Sequence, residues 1–168
     1  MSTVQTIATM NKAESKETLR ARMQEELQAL DPEDRRGRSL QICNHVLELP
    51  VWKQARVVVV FEPFRYEPEI TPLISDLQRR GSEIIAILPT ARSQHDVVIF
   101  GPIDLVLVPG IAFTRNGARM GRGFGFFDRF LAHRAASAVK IGIAFRFQIL
   151  ESLPLESHDV RLDLVVTD

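Results

Sequence analysis

Three short runs of apolar residues constrain the fold of this chain more than any other feature. They lie at residues 57–61 (VVVVF), 84–88 (IIAIL) and 105–108 (LVLV). A strand that is apolar at consecutive positions is buried on both faces, as in a parallel sheet that is covered by helices. The sequence therefore predicts a buried sheet with helices packed around it.

Helical patterns precede and separate these strands. Behind Ser15, a predicted N-cap, apolar residues recur at steps of four, four and three: Leu19, Met23, Leu27 and Leu30. Asp31 and Pro32 are predicted to begin a second helix, which Pro50 ends. The predicted apolar face of that helix consists of Leu40, Cys43 and Leu47. We therefore expect Cys43 to be a core residue and not a nucleophile.

Strands and helices alternate through the rest of the chain. Helices are predicted over residues 71–81 and 126–136, and strands over residues 141–144 and 162–166. This order predicts a three-layer α/β fold, in which a mostly parallel, open Rossmann-like sheet has helices on both faces. Ligands of such sheets bind beyond the carboxyl ends of the strands. Only sixteen residues, 89–104, join the second and third strands, close to the minimum of about 10–12 that a crossover needs.

Length and composition limit the class of protein. The 168 residues suit one domain, which we expect over residues 15–168 after a loose polar leader at residues 1–14. Lysine plus arginine and aspartate plus glutamate number 21 each, so the chain lacks the basic surplus of a general nucleic-acid or membrane-surface binder. It also lacks a signal-peptide pattern and any apolar run near the roughly 18 residues of a membrane span. We expect a cytoplasmic protein without nucleic-acid or membrane partners.

The densest candidate for chemistry is the segment 117–125 (GARMGRGFG), which holds four of the nine glycines directly before a predicted helix. Glycines let backbone N–H groups approach an anion, and a helix N-terminus adds partial positive charge. Arg119 and Arg122 add formal charge that suits phosphate oxygens. Phe126 and Phe127 stand where the dinucleotide fingerprint would have its third glycine, and the Walker pattern is absent. Composition alone favours a phosphate cradle and leaves a flexible turn as the alternative.

Lys16 and Arg20 form a second candidate. They lie four residues apart on one face of a predicted helix, in its first turns, where cations oppose the helix dipole. An anionic ligand would turn that cost into a gain. The spacing alone favours a solvated basic face that is offset by Glu17.

Acidic residues form a third candidate. Three glutamates follow the first predicted strand: Glu62, Glu67 and Glu69. Their position beyond a strand end is where ligands bind, but acidic loop residues are mostly solvated. Asp128 and Asp163 are candidate Mg²⁺ ligands, although Asp128 can instead pair with Arg129 or with the start of its helix. The four histidines show no metal-ligand spacing.

One block of the sequence resembles the signature of a known family. It consists of residues 107–113 (LVPGIAF) followed by Gly117, Arg119, Gly121, Gly123, Gly125, Asp128 and Arg129. The block is similar to the signature of the 5-formyltetrahydrofolate cyclo-ligases, which are also called methenyltetrahydrofolate synthetases. Further segments agree in order, namely 16–20 (KETLR), 52–55 (WKQA), 158–159 (HD) and 163–167 (DLVVT). Over residues 15–168 the chain resembles a diverged and shortened member of that family.

The resemblance implies an ATP- and Mg²⁺-dependent reaction on a reduced folate, carried out by a monomer. The formyl oxygen of 5-formyltetrahydrofolate attacks the γ-phosphate of ATP and releases ADP. Ring closure by the neighbouring N10 then expels phosphate and gives 5,10-methenyltetrahydrofolate. The implied task of the protein is positioning and charge neutralisation.

The resemblance also implies roles for individual residues. The implied ATP site comprises Lys16, Arg20, Gly121, Arg122, Gly123, Phe124, Gly125, Phe126 and Asp128. The implied catalytic residues are Arg119, Arg122 and Asp128. The implied folate site comprises Glu67, Phe61, Phe126 and Phe127, and the implied Mg²⁺ ligands are Asp128 and Asp163. A carboxylate such as that of Glu67 suits the paired N–H donors of a pterin.

Three departures from the family pattern leave the activity open. Phe126 and Phe127 replace two tyrosines, which keeps ring stacking but removes hydroxyl hydrogen bonds. Phe124 adds bulk where the family prefers glycine or lysine, and the connection at residues 89–104 is shorter than the cleft-lining segment of the family. The chain is thus an active cyclo-ligase with a trimmed folate pocket, a homologue that binds without turnover, or an ATP-using enzyme with a smaller acceptor. We favour the first, because all electrostatic parts of the site are present.

Overall fold

The computed structural model describes residues 14–88, 90–91 and 93–168, so the predicted leader lies outside the described residues except for Glu14. This part of the chain forms five α-helices and eight β-strands. In chain order they are α1 (Lys16–Ala29), α2 (Pro32–Glu48), α3 (Pro50–Gln54), β1 (Val57–Phe61), α4 (Thr71–Arg80), β2 (Glu83–Ile87), β3 (Leu105–Val108), β4 (Ala112–Thr114), β5 (Arg119–Met120), α5 (Phe126–His133), β6 (Val139–Ile143), β7 (Ile149–Leu150) and β8 (Leu164–Val166).

The main sheet has five strands in the order β2-β1-β3-β6-β8, and every neighbouring pair is parallel. Successive side chains of a strand point to opposite faces, so Val58 and Val60 enter one core and Val59 enters the other. Residues of α1 to α4 complete the first core, and α5 covers the second. The predicted α/β fold class, with helices on both faces of a parallel sheet, is confirmed.

The face of α2 that packs into the core agrees only in part with the predicted face. Its buried residues are Ser39, Ile42, Cys43 and Val46, whereas Leu40 is 52% exposed. The Ser39 hydroxyl donates to the Arg35 carbonyl at 2.6 Å and accepts the Glu69 N–H at 3.0 Å, so its burial leaves no unpaired polar group. The prediction is confirmed for Cys43, which is buried, and for Leu47, which packs against the same core, and it is wrong for Leu40.

Proline and glycine set the helix boundaries. Pro50 does not merely end α2, which stops at Glu48, but occupies the first position of α3, where its missing N–H costs nothing. Ile70, and not Thr71, is the cap residue of α4. Gly81 ends α4 in the left-handed conformation with φ of 69°, as a glycine after the last helical turn predicts.

A second, small sheet was not predicted. Its strands have the order β5-β4-β7, with β4 antiparallel to β5 and parallel to β7. Strands of two or three residues are too short to show a period of two. The β4–β5 turn requires Gly117, whose φ is 85° and where an added Cβ would lie 2.2 Å from the Leu162 carbonyl oxygen. This turn sends the chain back along β5 and thereby places Arg119.

The connection between β2 and β3 contains little besides the crossing itself, as its length predicts. Its described residues form one 3-10 turn, Gln94–Asp96. Val97 and Ile103 pack into the same core as α5. Among the helices that the structure describes, we find none with the length and apolar character of a membrane-spanning segment.

Candidate functional site

A cavity of about 250 Å³ lies at the carboxyl end of the main sheet. Its walls include Ile87 at the end of β2, Pro109 directly after β3, and residues of α1 and α5. Residues 121–125, which we call the glycine loop, complete the wall before α5. This is the edge at which parallel α/β sheets bind their ligands, so we take the cavity as the candidate active site.

The cavity brings together most of the residues that the sequence singled out. Those that line it are Lys16, Arg20, Glu67, Arg119, Gly121, Arg122, Gly123, Phe124, Gly125, Phe126, Phe127 and Asp128. Phe61 does not line it, because its side chain is buried in the core beneath α1 to α4. Asp163 lies at the other end of the sheet, where its carboxylate accepts the N–H of Lys140 in β6 at 2.7 Å. The structure does not bring Asp163 to Asp128.

The glycine loop enters α5 through two residues in the left-handed region. Gly123 has φ of 102°, and Gly125, the N-cap of α5, has φ of 63°. Glycine adopts these angles without the strain that a Cβ would add. No side chain in the described structure caps α5. The backbone donors and the dipole at this helix start therefore suit an anion in the cavity.

Arg119 is held rigidly at the base of the cavity by β5. Its guanidinium donates from Nη1 to the Pro109 carbonyl and from Nη2 to the Asp128 carboxylate, each at 3.1 Å. Its Nε is buried and has no partner among the described residues. Gly121 leaves room for this arrangement, since a Cβ there would lie 2.9 Å from Nη1 of Arg119. The guanidinium therefore contributes a fixed positive charge at the base of the cavity.

Two cations of α1 reach the same cavity. Arg20 donates from Nε to the Gly121 carbonyl at 3.1 Å, which joins α1 to the glycine loop. The Lys16 ammonium lies 2.9 Å from the carboxylate of Glu156 and 3.6 Å from that of Asp159. Both cations therefore line the cavity and are already paired with oxygens of the protein.

Glu67 is buried beside the cavity, with 3% of its side chain exposed. Its Oε1 accepts from Nε and Nη2 of Arg122 at 3.2 and 2.8 Å, and its Oε2 accepts the Phe64 N–H at 2.9 Å. The Arg122 guanidinium also lies over the Phe64 ring, 4.0 Å from its centroid. The sequence offered no signal for Phe64, because a lone phenylalanine in a loop belongs to no pattern.

Phe126 and Phe127 form the aromatic part of the wall. Their ring centroids are 5.4 Å apart in an edge-to-face arrangement. The Arg119 guanidinium lies over the Phe127 ring, 5.7 Å from its centroid. This cation–π contact joins the aromatic wall to the charged base of the cavity.

A cluster of Glu156, His158 and Asp159 borders the cavity near Lys16. One ligand atom from each of the three lies within 4.8 Å of the others. The His158 Nε2 is 3.1 Å from Glu156 and 3.8 Å from Asp159. The sequence analysis missed this cluster, although three metal-ligand residue types within four positions were a visible signal. Only the topology shows that this segment reaches the cavity.

The fold and the cavity define an α/β protein of the class that binds small ligands at the carboxyl end of a parallel sheet. The sequence model of the 5-formyltetrahydrofolate cyclo-ligase family matches residues 12–102 and 99–168. The chain belongs to the 5-formyltetrahydrofolate cyclo-ligase family, as its signature block predicted. The two matched segments overlap at residues 99–102, in the short connection between β2 and β3.

Individual relatives support the same assignment. The 5-formyltetrahydrofolate cyclo-ligase of Mus musculus is 27% identical over 194 aligned positions, which cover 94% of this chain and 95% of the relative. That of Escherichia coli strain K12 is 27% identical over 168 positions, covering 83% and 92%. The solved structure of a 5,10-methenyltetrahydrofolate synthetase from Mycoplasma pneumoniae superposes with a TM-score of 0.77 at 26% identity, covering 92% of this chain and 99% of that one. The predicted enzyme class, a ligase, is confirmed.

Proposed function

We propose that this chain converts 5-formyltetrahydrofolate to 5,10-methenyltetrahydrofolate with MgATP, and that ADP and phosphate are the other products. The observation that carries the proposal is a single cavity that joins cations from α1, β5 and the glycine loop to the buried carboxylate of Glu67. A triphosphate needs the cations, and a pterin with paired N–H donors needs the carboxylate. The names of the relatives support the reaction.

The phosphate side is assigned to the basic wall. Lys16, Arg20 and Arg122 supply donors to the triphosphate, and the glycine loop and the start of α5 add backbone N–H groups. Arg119 is already fixed by two hydrogen bonds, and its positive charge would stabilise the oxygens that gain charge during transfer. Groups held in place before the reaction stabilise that charge without reorganisation.

The carboxylates of the cavity fit a magnesium ion, and they revise the predicted pair. Asp128 and Asp159 both line the cavity, with 17% and 15% of their side chains exposed. Mg²⁺ prefers one or two carboxylates together with substrate phosphates. We therefore assign the metal to Asp128 and Asp159 and leave out Asp163, which lies at the other end of the sheet. When bound, the ion would supply charge neutralisation at the phosphate oxygens.

The folate side is assigned to Glu67 and the aromatic wall. The Glu67 carboxylate would receive the N–H donors of the pterin, and Phe127 would stack on a ring system. Ile87 and Leu88 extend this wall with apolar surface. We propose that the enzyme acts as a monomer in the cytoplasm, with ATP and a reduced folate as its partners.

The experiment is a direct assay of the product. Purified protein is mixed with 5-formyltetrahydrofolate and MgATP, and the near-ultraviolet absorbance of the methenyl product is followed. We expect the absorbance to rise only when both substrates and Mg²⁺ are present, and to stop on chelation. Nucleotide binding by calorimetry without an absorbance rise at high enzyme concentration would contradict the proposal and favour a binding protein. Steady ADP formation without methenyl product would instead favour a different acceptor.

A further inference from the structure

Two residues that the proposed function assigns to the binding of different substrates form hydrogen bonds with each other. Arg122 belongs to the phosphate side and Glu67 to the folate side, yet Arg122 donates two hydrogen bonds to Oε1 of Glu67, at 2.8 and 3.2 Å. The Phe64 ring packs 4.0 Å from the guanidinium. We call these three residues, Glu67, Arg122 and Phe64, the latch.

The latch occupies the atoms that a pterin would use. Paired N–H donors bind a carboxylate through both of its oxygens. Here Oε1 of Glu67 already accepts two bonds from Arg122, and Oε2 accepts the N–H of Phe64. With 3% of the Glu67 side chain exposed, an incoming ring cannot reach the carboxylate while Arg122 stays in place.

Arg122 has space into which it can move. Its side chain is 28% exposed and borders a second cavity of about 230 Å³ as well as the candidate active site. Phe64, which separates the two cavities together with Arg122, is 41% exposed. The guanidinium can therefore leave Glu67 without a rearrangement of the core.

We propose that the latch couples the two substrates, so that each one tightens the binding of the other. The inference rests on the proposed function, because it assigns Arg122 to ATP and Glu67 to the folate. A triphosphate draws Arg122 away from Glu67 and opens the carboxylate, and a pterin on Glu67 releases Arg122 for the phosphates. With the latch closed, the protein binds each ligand more weakly than with the latch open. A ligand that favours the open latch therefore raises the affinity for the other ligand, and the two ligands raise each other's affinity by the same factor.

The test is calorimetry with 5-formyltetrahydrofolate and the magnesium complex of a non-hydrolysable ATP analogue. In the wild type we expect saturating analogue to tighten folate binding at least about fivefold, the lower end of common coupling energies. In Arg122→Ala we expect this coupling factor, the ratio of folate affinities with and without the analogue, to fall to about one. That variant also binds folate alone at least as tightly as the wild type does, because no population is lost to the closed latch.

A matched control separates the latch from a general loss of charge. Arg65 lies in the same loop as Phe64 and stacks on Tyr66, 5.5 Å from the ring centroid, but it donates to neither residue of the ion pair. Arg65→Ala should keep the full coupling factor. Glu67→Gln provides a second variant, which should bind the analogue more tightly than the wild type because the amide holds Arg122 less strongly than a carboxylate does.

The outcomes distinguish the latch from the proposed function. If both ligands bind the wild type independently, or if Arg122→Ala keeps the wild-type factor, the latch is wrong even when the methenyl product forms. If the ligands are coupled through Arg122 but no product forms, the latch stands and the ligase activity fails. If 5-formyltetrahydrofolate does not bind at all, both are overturned.

Discussion

The proposed phosphate side and the proposed folate side of the cavity differ in how far their polar groups are already held in place. On the phosphate side, Arg119, Arg20 and Lys16 are each held by an oxygen of the protein. On the folate side, Glu67 is closed by Arg122, and the neighbouring Leu88 is 53% exposed. The mouse alignment of 194 positions is longer than this chain of 168 residues, so that relative has segments that this chain lacks. The charged side needs none of those segments, because its groups come from α1, β5 and the glycine loop.

The largest effect is expected for Arg119→Ala, which removes the fixed cation of the phosphate side. Hydrogen bonds to charged groups contribute about 1.5–3 kcal/mol each, so nucleotide affinity should fall roughly ten- to a hundredfold. Folate affinity should change less, since Arg119 does not contact Glu67 and meets the folate side only at the Phe127 ring, 5.7 Å from its centroid. Calorimetry with each ligand checks the difference. Arg115→Ala, at an exposed position on the turn of the same hairpin, serves as the control and should leave both affinities unchanged. Equal losses of affinity for nucleotide and folate would contradict the assignment of the cavity to a phosphate side and a folate side.

The second prediction compares the magnesium dependence of variants at Asp159 and Asp163, which lie four residues apart. Asp159→Asn should raise the Mg²⁺ concentration for half-maximal turnover at least about tenfold, the scale on which even outer-shell partners of a metal act. Asp163→Asn should leave that concentration unchanged and lower the free energy of unfolding by about 1 kcal/mol, because the bond to the Lys140 N–H is weakened. A magnesium titration and a denaturant titration of both variants decide between the two assignments. The reverse result would return Asp163 to the metal site.

A smaller effect is expected for Phe127→Tyr on the folate side. A regained hydroxyl hydrogen bond contributes about 0.5–1.5 kcal/mol, so folate affinity should improve roughly two- to tenfold while nucleotide affinity stays constant. Phe100→Tyr, at a position that is 84% exposed and outside the cavity wall, is the control. An unchanged folate affinity in Phe127→Tyr would show that the missing hydroxyl is not what distinguishes this folate side.

The glycine loop and its arginines, which we assign to the phosphate side, could be singled out from the sequence because they are local. Four glycines and two arginines within nine positions directly before a helix favour a phosphate cradle without any knowledge of the fold. Asp163 shows the opposite case. It stands at the start of the last predicted strand, and the start of a strand in a parallel sheet lies at the edge away from the ligand. The predicted topology thus already conflicted with the role that the family resemblance gave it.

The residues that sequence reasoning missed depend on contacts between distant segments. Asp159 reaches the cavity only because the segment before β8 approaches Lys16 of α1. Phe64 matters only because Arg122, far along the chain, packs on its ring. The small sheet that places Arg119 has strands too short to carry a periodic signal. Local patterns encode the elements, and tertiary pairing decides which of their polar residues meet.

The smallest effect concerns Cys43, which connects α2 to the loop that carries Glu67. Its Sγ donates to the Glu69 carbonyl at 3.3 Å, and burial raises the pKa of the thiol to about 11, against the lowering effect of a backbone hydrogen bond from Leu73. The reactive thiolate is therefore on the order of a thousandth of the thiol at pH 8, and alkylation should be slow and rise about tenfold per pH unit. We expect 5-formyltetrahydrofolate to slow alkylation further, because a ligand that binds only the folded protein lowers the population in which this buried thiol becomes exposed. Rapid alkylation of the folded protein at pH 8 would contradict the burial that raises the pKa of this thiol.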